Sequence, residues 1–244
     1  MFNTPFHNTD ISKSSFLVTG GAGYIGSVLC KQLLDRGYRV TALDNFMYRQ
    51  SSLLDCCAFE TFRVVRGDCR DERVVTDLLR DADIVIEAVF ERMDVKQETF
   101  RKLDAVMKPG AILATNTSTL PVIEIAMATE RPDRVCGVHF FNPAPAMVLV
   151  EIIRPLTASD DTVSTAHHFA QSCGKETVEV KDRAGFIVNA LLFPFLNNAV
   201  RMLEQGTANM ADIDTAMKGG CNFPMGPFEL LDLVGLDTSV AILA

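Results

Sequence analysis

The sequence has no surplus of positive charge. It contains 23 lysines and arginines against 31 aspartates and glutamates, which gives a formal net charge of -8 at pH 7. Because nucleic acids and anionic membranes select clustered cations, this balance argues against a nucleic-acid surface and against a basic membrane-binding face. The 48% hydrophobic content is sufficient for a packed core, so we expect a folded chain.

The sequence also lacks the cysteine spacing of a disulfide framework or a zinc site. The cysteines form an odd set, contain no Cys-x-x-Cys pair and do not alternate with histidines. We therefore predict no disulfide framework and no metal. The seven cysteines are Cys30, Cys56, Cys57, Cys69, Cys136, Cys173 and Cys221.

No long apolar run is present. The apolar stretch 84–90 is interrupted by Glu87. The stretch 186–196 is interrupted by Asn189 and Pro194, so both fall short of the roughly 20 residues that cross a bilayer. The polar start of the chain lacks the basic and apolar pattern of a targeting peptide. We therefore predict no membrane association and a cytoplasmic location.

Short β-rich runs alternate with helical patterns from Phe16 to Val180. Strands with nearly continuous apolar runs, separated by helices, are typical of a parallel sheet covered on both faces. We therefore predict an α/β fold with a doubly wound, Rossmann-type and mostly parallel sheet. Beyond this region apolar residues recur at helical spacing, which predicts two domains, 1–183 and a small all-α domain at 184–244.

A glycine-rich turn spans residues 19–26, between the first predicted strand and a helix. Glycines there permit a pyrophosphate to approach the free N–H groups of the helix N-terminus, although a purely structural turn is the alternative. Asp44 ends the second strand, where a carboxylate would bind the adenosine ribose and favour NAD over NADP; nearby Arg49 weakens that preference. The predicted cofactor-binding residues of this region are Gly20, Gly23, Tyr24, Ile25, Gly26 and Asp44.

Residues 14–82 resemble the opening of the extended short-chain dehydrogenases, the sugar-nucleotide epimerase and dehydratase family. The resemblance rests on the glycine turn, on Leu43-Asp44-Asn45-Phe46 and on Arg66-Gly67-Asp68-Cys69-Arg70-Asp71. It implies that Asp68 contacts the adenine. In that family the catalytic tyrosine is followed four positions later by lysine. None of the three tyrosines here has that spacing, so epimerase chemistry lacks its catalytic residue.

His139 and Glu151 have the chemistry of an alcohol dehydrogenase. An imidazole titrates near neutrality and can accept an alcohol proton, while a carboxylate can hold its tautomer and stabilise the imidazolium. The alternatives are a core role for His139 and a surface role for Glu151. The apolar setting Leu149-Val150-Glu151-Ile152-Ile153 requires a polar or charged partner for Glu151 if that strand is interior.

From about Asp83 onward the chain resembles the L-3-hydroxyacyl-CoA dehydrogenases. The motifs occur in the order and spacing of that family. They are Ile86-Glu87-Ala88-Val89-Phe90-Glu91, Asn116-Thr117-Ser118, Val138-His139-Phe140-Phe141-Asn142-Pro143, Val150-Glu151, Gly185-Phe186-Ile187-Val188-Asn189 and Pro224-Met225-Gly226-Pro227.

This resemblance implies an NAD-dependent oxidation of L-3-hydroxyacyl-CoA, on short chains such as 3-hydroxybutyryl-CoA. It implies His139 as general base, Glu151 as its partner, and Ser118 and Asn189 as hydrogen-bonding groups at the substrate oxygen or the base. The alternative for Ser118 is a cap on the helix near Pro121, and the alternative for Asn189 is a buried helix residue.

The same resemblance implies further residues beside the cofactor. Glu91 and Asn116 are expected where strands end, and Lys96 on the following helix; solvated surface roles are the alternative for Glu91 and Lys96. The implied substrate partner is an acyl-CoA. The family's helical domain implies a homodimer.

Two departures from the family bear on these expectations. The connection 45–61 is short, where the family has a long helical excursion that helps to hold CoA. The sequence ends at Ala244, where the family continues, so we expect a shortened helical domain with Phe223, Phe228 and Leu231 exposed for self-association.

The sequence therefore reads as a chimera with a seam near residues 80–87, between an epimerase-like and a dehydrogenase-like half. The predicted function is that of a 3-hydroxyacyl-CoA dehydrogenase. The alternatives are a catalytically silent NAD-binding protein and, less favoured, a sugar-nucleotide epimerase.

Overall fold

An eight-stranded sheet followed by a helical unit makes up this chain in a computed structural model. The structure describes residues 15–80, 82–144 and 146–243, without the side chains of residues 24, 25, 238, 241 and 243. The chain divides into two compact units, the first ending at Asp182 and the second beginning at Arg183.

The strands form one sheet in the order β3-β2-β1-β4-β5-β6-β7-β8. All neighbouring strands are parallel except β6 and β7, which are antiparallel. The strands are β1 Ser15–Thr19, β2 Arg39–Asp44, β3 Phe62–Arg66, β4 Ile84–Glu87, β5 Ile112–Thr115, β6 Val135–Phe140, β7 Leu149–Arg154 and β8 Glu176–Lys181. The predicted doubly wound, mostly parallel sheet is confirmed.

The helices of the first unit connect these strands. They are α1 Tyr24–Asp35, α2 Glu72–Leu79, α3 Met93–Val106, the single turn α4 Val122–Ala126, and α5 Asp160–Ser172. The central strand β5 is buried along its whole length, which accounts for its mostly apolar sequence. The order of strands reverses between β1 and β4, and the carboxyl ends of strands at such a point form a crevice where ligands bind.

The connection between β2 and β3 contains only a short 3-10 turn, Leu54–Ala58. As expected from the length of this connection, residues 45–61 form a loop that leads back to the sheet without a long helical excursion. This connection is fastened to the glycine turn, because the Ser52 hydroxyl donates to the Ala22 carbonyl oxygen at 2.5 Å.

The second unit is helical throughout its regular elements, which are α6 Val188–Glu204, α7 Met210–Cys221, α8 Pro227–Val234 and α9 Leu236–Leu243. The buried carboxylate of Asp214 accepts the backbone N–H groups of Phe228 at 2.8 Å and Glu229 at 3.1 Å, which satisfies two free donors at the start of α8. Gly226 is required beside it, because a Cβ there would lie 2.3 Å from the Asp214 Cγ.

One expectation for the helical unit is wrong. Of the three side chains expected to be exposed, Phe223 is exposed, Phe228 is half-buried, and Leu231 is buried in a small cluster with Phe193 and Leu196. The exposed apolar side chains of α8 and α9 include Leu233, Leu236 and Val240. Leu231 of α8 therefore packs against α6, and other apolar residues of α8 and α9 are exposed to solvent.

Candidate active site

His139 and Glu151 form a buried pair at the one antiparallel step of the sheet. They are directly opposite each other in the β6–β7 register, so their side chains project from the same face. His139 Nδ1 lies 2.8 Å from Glu151 Oε2, and the Glu151 side chain is fully buried. The alternative of a surface role for Glu151 is therefore wrong.

The carboxylate of Glu151 fixes the tautomer of His139. An ionised carboxylate only accepts hydrogen bonds, so the facing Nδ1 carries the proton and Nε2 is left with a lone pair. Ser118 Oγ lies 3.1 Å from Nε2 and donates to it in this tautomer. Phe141 packs on the same imidazole, with ring centroids 4.5 Å apart. Nε2 is thus the position at which an alcohol proton can be accepted.

Ser118 is not a helix cap. Helix α4 starts after Pro121 with no side-chain cap from its own segment. Its first N–H groups are instead bound by the carboxylate of Asp182, which accepts from Val122 at 3.1 Å and from Ile123 at 2.7 Å. The capping alternative for Ser118 is therefore wrong.

Glu91 holds the backbone on both sides of Ser118. Its Oε1 accepts the Thr117 hydroxyl at 2.5 Å and the N–H groups of Ser118 at 2.8 Å and Thr119 at 3.2 Å. Burial raises the pKa of the Glu91 carboxyl, but the Thr117 hydroxyl, the charge of Lys96 and the two N–H groups together hold that pKa below its ordinary value. Glu91 is therefore ionised at neutral pH and orders the serine segment.

Lys96 is one of the most deeply buried side chains of the first unit, with 1% of its surface exposed. Its Nζ lies 2.8 Å from Glu87 Oε1 and 3.2 Å from Glu91 Oε2. A solvated role for Lys96 is therefore wrong. Any effect of Lys96 on a cofactor passes through Glu91, because the ammonium itself is enclosed.

Glu87 is a site residue that sequence reasoning missed. The sequence shows Glu87 interrupting an apolar run and within a motif of the resemblance, but not as a site residue, yet a carboxylate within a buried strand requires a cationic or hydrogen-bonding partner. That requirement was the available signal. The lysine nine positions later on α3 supplies the partner.

Asn116 lies at the carboxyl end of β5 and ties neighbouring strands together. Its side-chain oxygen accepts the Phe140 N–H at 2.9 Å, and its own N–H donates to the Glu87 carbonyl at 2.8 Å. Asn189 is the second residue of α6, in the helical unit. The cofactor role of Asn116 and the substrate role of Asn189 stay predictions.

The glycine turn has the close backbone packing that a dinucleotide site requires. Gly20 has a φ of +65°, and a Cβ on Gly26 would lie 2.3 Å from the Gly20 carbonyl oxygen. Gly23 immediately precedes α1, whose first turn carries no acidic side chain. The backbone of Tyr24 and Ile25 forms the first turn of α1, but their side chains are outside the described structure. The turn therefore fits a pyrophosphate at the start of α1.

Asp44 closes this turn from the second strand. Its carboxylate is buried and accepts the N–H groups of Ala22 at 3.0 Å and Phe46 at 2.8 Å. A carboxylate has about four acceptor positions, so two remain for ribose hydroxyls. The ribose contact stays a prediction, and the turn-closing role is an additional one.

Asp68 is held on the surface by Arg70. The guanidinium lies 2.9 Å and 2.5 Å from the two carboxylate oxygens. These hydrogen bonds lower the pKa of Asp68 to about 2. An adenine contact of Asp68 stays a prediction, and it requires an approach beside an exposed ion pair.

No metal-binding group of three or more histidine, cysteine, aspartate or glutamate side chains occurs among the described residues. Within the same part of the chain, no helix combines the length and apolarity needed to cross a membrane. All seven cysteines are free thiols, of which Cys57, Cys69 and Cys221 are exposed.

Comparison with known families assigns both units. Residues 18–183 match the NAD binding domain of 3-hydroxyacyl-CoA dehydrogenase, and residues 185–244 match its C-terminal domain. The chain belongs to the 3-hydroxyacyl-CoA dehydrogenase family. The first match begins within the segment that resembles epimerases, so the family model extends across the expected seam.

Relatives within this family are similar over different lengths. The mitochondrial hydroxyacyl-coenzyme A dehydrogenase of Homo sapiens is 49% identical over 162 residues, which cover 66% of this chain and 52% of that protein. The match thus spans about half the length of the mammalian relatives. A probable 3-hydroxybutyryl-CoA dehydrogenase of Bacillus subtilis is 39% identical, covering 93% of this chain and 83% of that protein.

Solved structures of family members share the fold. The (S)-3-hydroxybutyryl-CoA dehydrogenase from Ralstonia eutropha superposes with a TM-score of 0.82 at 33% identity, covering 95% of this chain and 86% of that one. A 3-hydroxybutyryl-CoA dehydrogenase from Escherichia coli gives a TM-score of 0.78 at 32% identity, covering 94% and 51%.

Replacement of Gly26 by alanine tests the glycine turn. The new methyl group would overlap the Gly20 carbonyl oxygen, so the turn must open and NADH binding should weaken at least about tenfold. Fluorescence titration with NADH measures this. Gly219→Ala in α7, where a Cβ meets nothing within 4 Å, is the matched control and should leave binding unchanged. Equal NADH affinity in the two variants would contradict the assignment of the turn.

Proposed function

We propose that this chain oxidises L-3-hydroxyacyl-CoA to 3-ketoacyl-CoA with transfer of hydride to NAD. The observation that carries the proposal is His139, placed between Glu151 at 2.8 Å and Ser118 at 3.1 Å. Family membership supports it, since both units match 3-hydroxyacyl-CoA dehydrogenase domains. The group that accepts the proton and the group that stabilises its charge are already in hydrogen-bond contact.

In this mechanism His139 Nε2 accepts the 3-hydroxyl proton while C3 loses its hydride. Glu151 stabilises the imidazolium that results, because the negative charge faces Nδ1 in a buried setting. The Ser118 hydroxyl turns from Nε2 to the substrate oxygen and positions the carbinol. In the reverse direction the imidazolium returns the proton to the forming alkoxide.

The residues that would hold the dinucleotide are those of the glycine turn and the strand ends around it. Gly20, Gly23 and Gly26 would admit the pyrophosphate, and Asp44 would accept the ribose hydroxyls. NAD supplies the hydride acceptor when bound. Asp68, Glu91, Lys96 and Asn116, with Tyr24 and Ile25, complete the predicted cofactor-binding set.

We propose short acyl chains, such as 3-hydroxybutyryl, as substrates. The Bacillus subtilis and Ralstonia eutropha relatives, which match this chain over more than nine-tenths of its length, are named for that substrate. The short 45–61 connection leaves fewer residues to hold the CoA portion. We therefore expect a weak hold on CoA and a greater share of the recognition at the 3-hydroxyl.

The two alternative functions are not favoured. A silent NAD-binding protein would have no need of a buried imidazole that contacts a carboxylate at one nitrogen and a hydroxyl at the other. Of the tyrosines whose side chains the structure describes, Tyr38 is buried against Phe16, with ring centroids 5.1 Å apart, and Tyr48 is exposed, and neither is followed four positions later by the lysine of an epimerase.

The substitution His139→Gln tests the general base. Glutamine cannot accept and return the proton at neutral pH, so kcat should fall by about 10²- to 10⁴-fold with little change in NADH binding. The measurement is NADH oxidation with acetoacetyl-CoA. His167→Gln on α5, which removes a half-buried histidine bonded to Thr177, serves as the control and should retain activity. Equal turnover by wild type and His139→Gln would refute the assignment.

We propose that the chain forms a homodimer through its helical unit. Apolar side chains on three of its helices support this, since Leu191, Leu233 and Val240 each expose about two-thirds or more of their surface. Replacement of Leu233 by glutamate places a charge on this surface and should give a monomer in sedimentation velocity. Asp232→Ala, an exposed neighbour on the same helix, should remain dimeric. A monomeric wild type would contradict the proposal.

We also propose that the epimerase-like and dehydrogenase-like segments were joined near residues 80–87. The supporting observation is a difference in sequence identity to relatives. The human relative is 49% identical over about two-thirds of this chain, whereas the Bacillus subtilis relative, matched over 93% of it, is 39% identical. Trypsin should release a peptide of residues 81–92 that crosses this seam. Mass spectrometry of the native source should detect this peptide together with peptides from both halves, and flanking peptides without it would contradict the proposed join. We also propose a cytoplasmic location, which fractionation of the same source would test.

A further inference from the structure

We propose that Glu87 is a positioning residue for the dehydrogenase reaction, acting through Lys96 and Thr115 on the segment that carries Ser118. The inference rests on the proposed function for its effect on turnover, but the arrangement itself is a property of the first unit. Glu87 does not contact His139 in any hydrogen bond of the described structure, so its effect is indirect.

Burial makes the charge on Glu87 costly unless it is fully compensated. Glu87 exposes 4% of its surface and Lys96 exposes 1%. The carboxylate accepts Lys96 Nζ at 2.8 Å and the Val89 N–H at 2.6 Å on one oxygen, and the Thr115 hydroxyl at 2.8 Å on the other. A buried ion pair of this kind adds little net stability over apolar residues of the same volume. We therefore infer that this pair serves to position neighbouring groups.

The first route from Glu87 to the segment with Ser118 runs through the ion pairs of Lys96. Lys96 contacts both Glu87 and Glu91, with its Nζ 3.2 Å from Glu91 Oε2. The other oxygen of Glu91 accepts the N–H groups of Ser118 and Thr119. Lys96 is thereby held on two sides, and Glu91 is fixed at the position where it can bind the serine segment.

The second route passes through a neutral hydroxyl. Thr115 Oγ1 donates to Glu87 Oε2 and accepts the N–H of Thr117 at 3.3 Å. Glu87 and Thr115 are directly paired across β4 and β5, so this contact is set by the sheet register. Two independent routes from one carboxylate therefore converge on residues 117–119.

These contacts set the position of Ser118 relative to His139, the proposed general base. Ser118 Oγ is 3.1 Å from His139 Nε2, and a hydroxyl displaced by a few tenths of an ångström loses its alignment with both the imidazole and a substrate oxygen. Without its charge, residue 87 can keep a hydrogen bond to Lys96 but attracts the ammonium less strongly, so we expect Lys96 to move toward Glu91 and the serine segment to loosen.

The test is Glu87→Gln, which keeps the volume and can still accept from Val89 and Lys96. We expect kcat with acetoacetyl-CoA to fall about tenfold, and KM for NADH to change less than about twofold. In a Ser118→Ala background the same substitution should cost less than about twofold, because its effect passes through Ser118. Glu98→Gln, on the exposed face of α3 in an ion pair with Lys102, is the matched control with unchanged kcat.

A second readout does not require turnover. Amide hydrogen exchange of Ser118 and Thr119 should accelerate about tenfold or more in Glu87→Gln relative to wild type, while exchange in β7 stays the same. The double variant Glu87→Gln, Lys96→Met removes both buried charges together. It should show the same acceleration, and it replaces the single variant if that one does not fold.

The outcomes separate the two proposals. Unchanged exchange at Ser118 and Thr119 overturns the role of Glu87 whatever the activity, and so does a loss of kcat that is as large in the Ser118→Ala background. A wild type with no turnover but with exchange that responds to Glu87→Gln overturns the proposed function and supports the positioning role.

Discussion

The antiparallel pairing of β6 with β7 is the constraint on which the site depends. It places His139 directly opposite Glu151, so the geometry of the pair is set by backbone hydrogen bonds along both strands. A slip of one residue would turn Glu151 to the other face of the sheet and leave a buried carboxylate without its imidazole. The other neighbouring strands of the described sheet are parallel, so this reversal is the step that brings these two side chains opposite each other.

Other carboxylates of the first unit bind backbone N–H groups around this site. Asp44 closes the glycine turn, Asp182 begins α4, and Glu91 orders the segment with Ser118. In each case a side chain from one element binds backbone N–H groups of another, which otherwise would lack partners. The acidic residues that give the net charge of -8 thus include side chains that hold the backbone of the site.

The regular elements and the glycine turn were predictable because their signals are local. Apolar periodicity marked the strands, and residues 19–26 carried the spacing of a dinucleotide turn. The contacts of Glu87, Lys96 and Asp182 were not predictable in this way, because each joins elements that only folding brings together. Ser118 shows the limit well: near Pro121 its sequence suits a helix cap, and only the position of Asp182 excludes that role. Leu231 was misplaced for the same reason, since periodicity identifies an apolar face but not what covers it.

The two contacts of His139 also protect it. With Nδ1 engaged by Glu151 and Nε2 by Ser118, the resting imidazole offers no open lone pair to stray transition-metal ions or to electrophiles that enter the crevice. A competing ligand reaches this lone pair only after it displaces the Ser118 hydroxyl. Reaction at the imidazole in the absence of substrate therefore carries the cost of breaking a hydrogen bond.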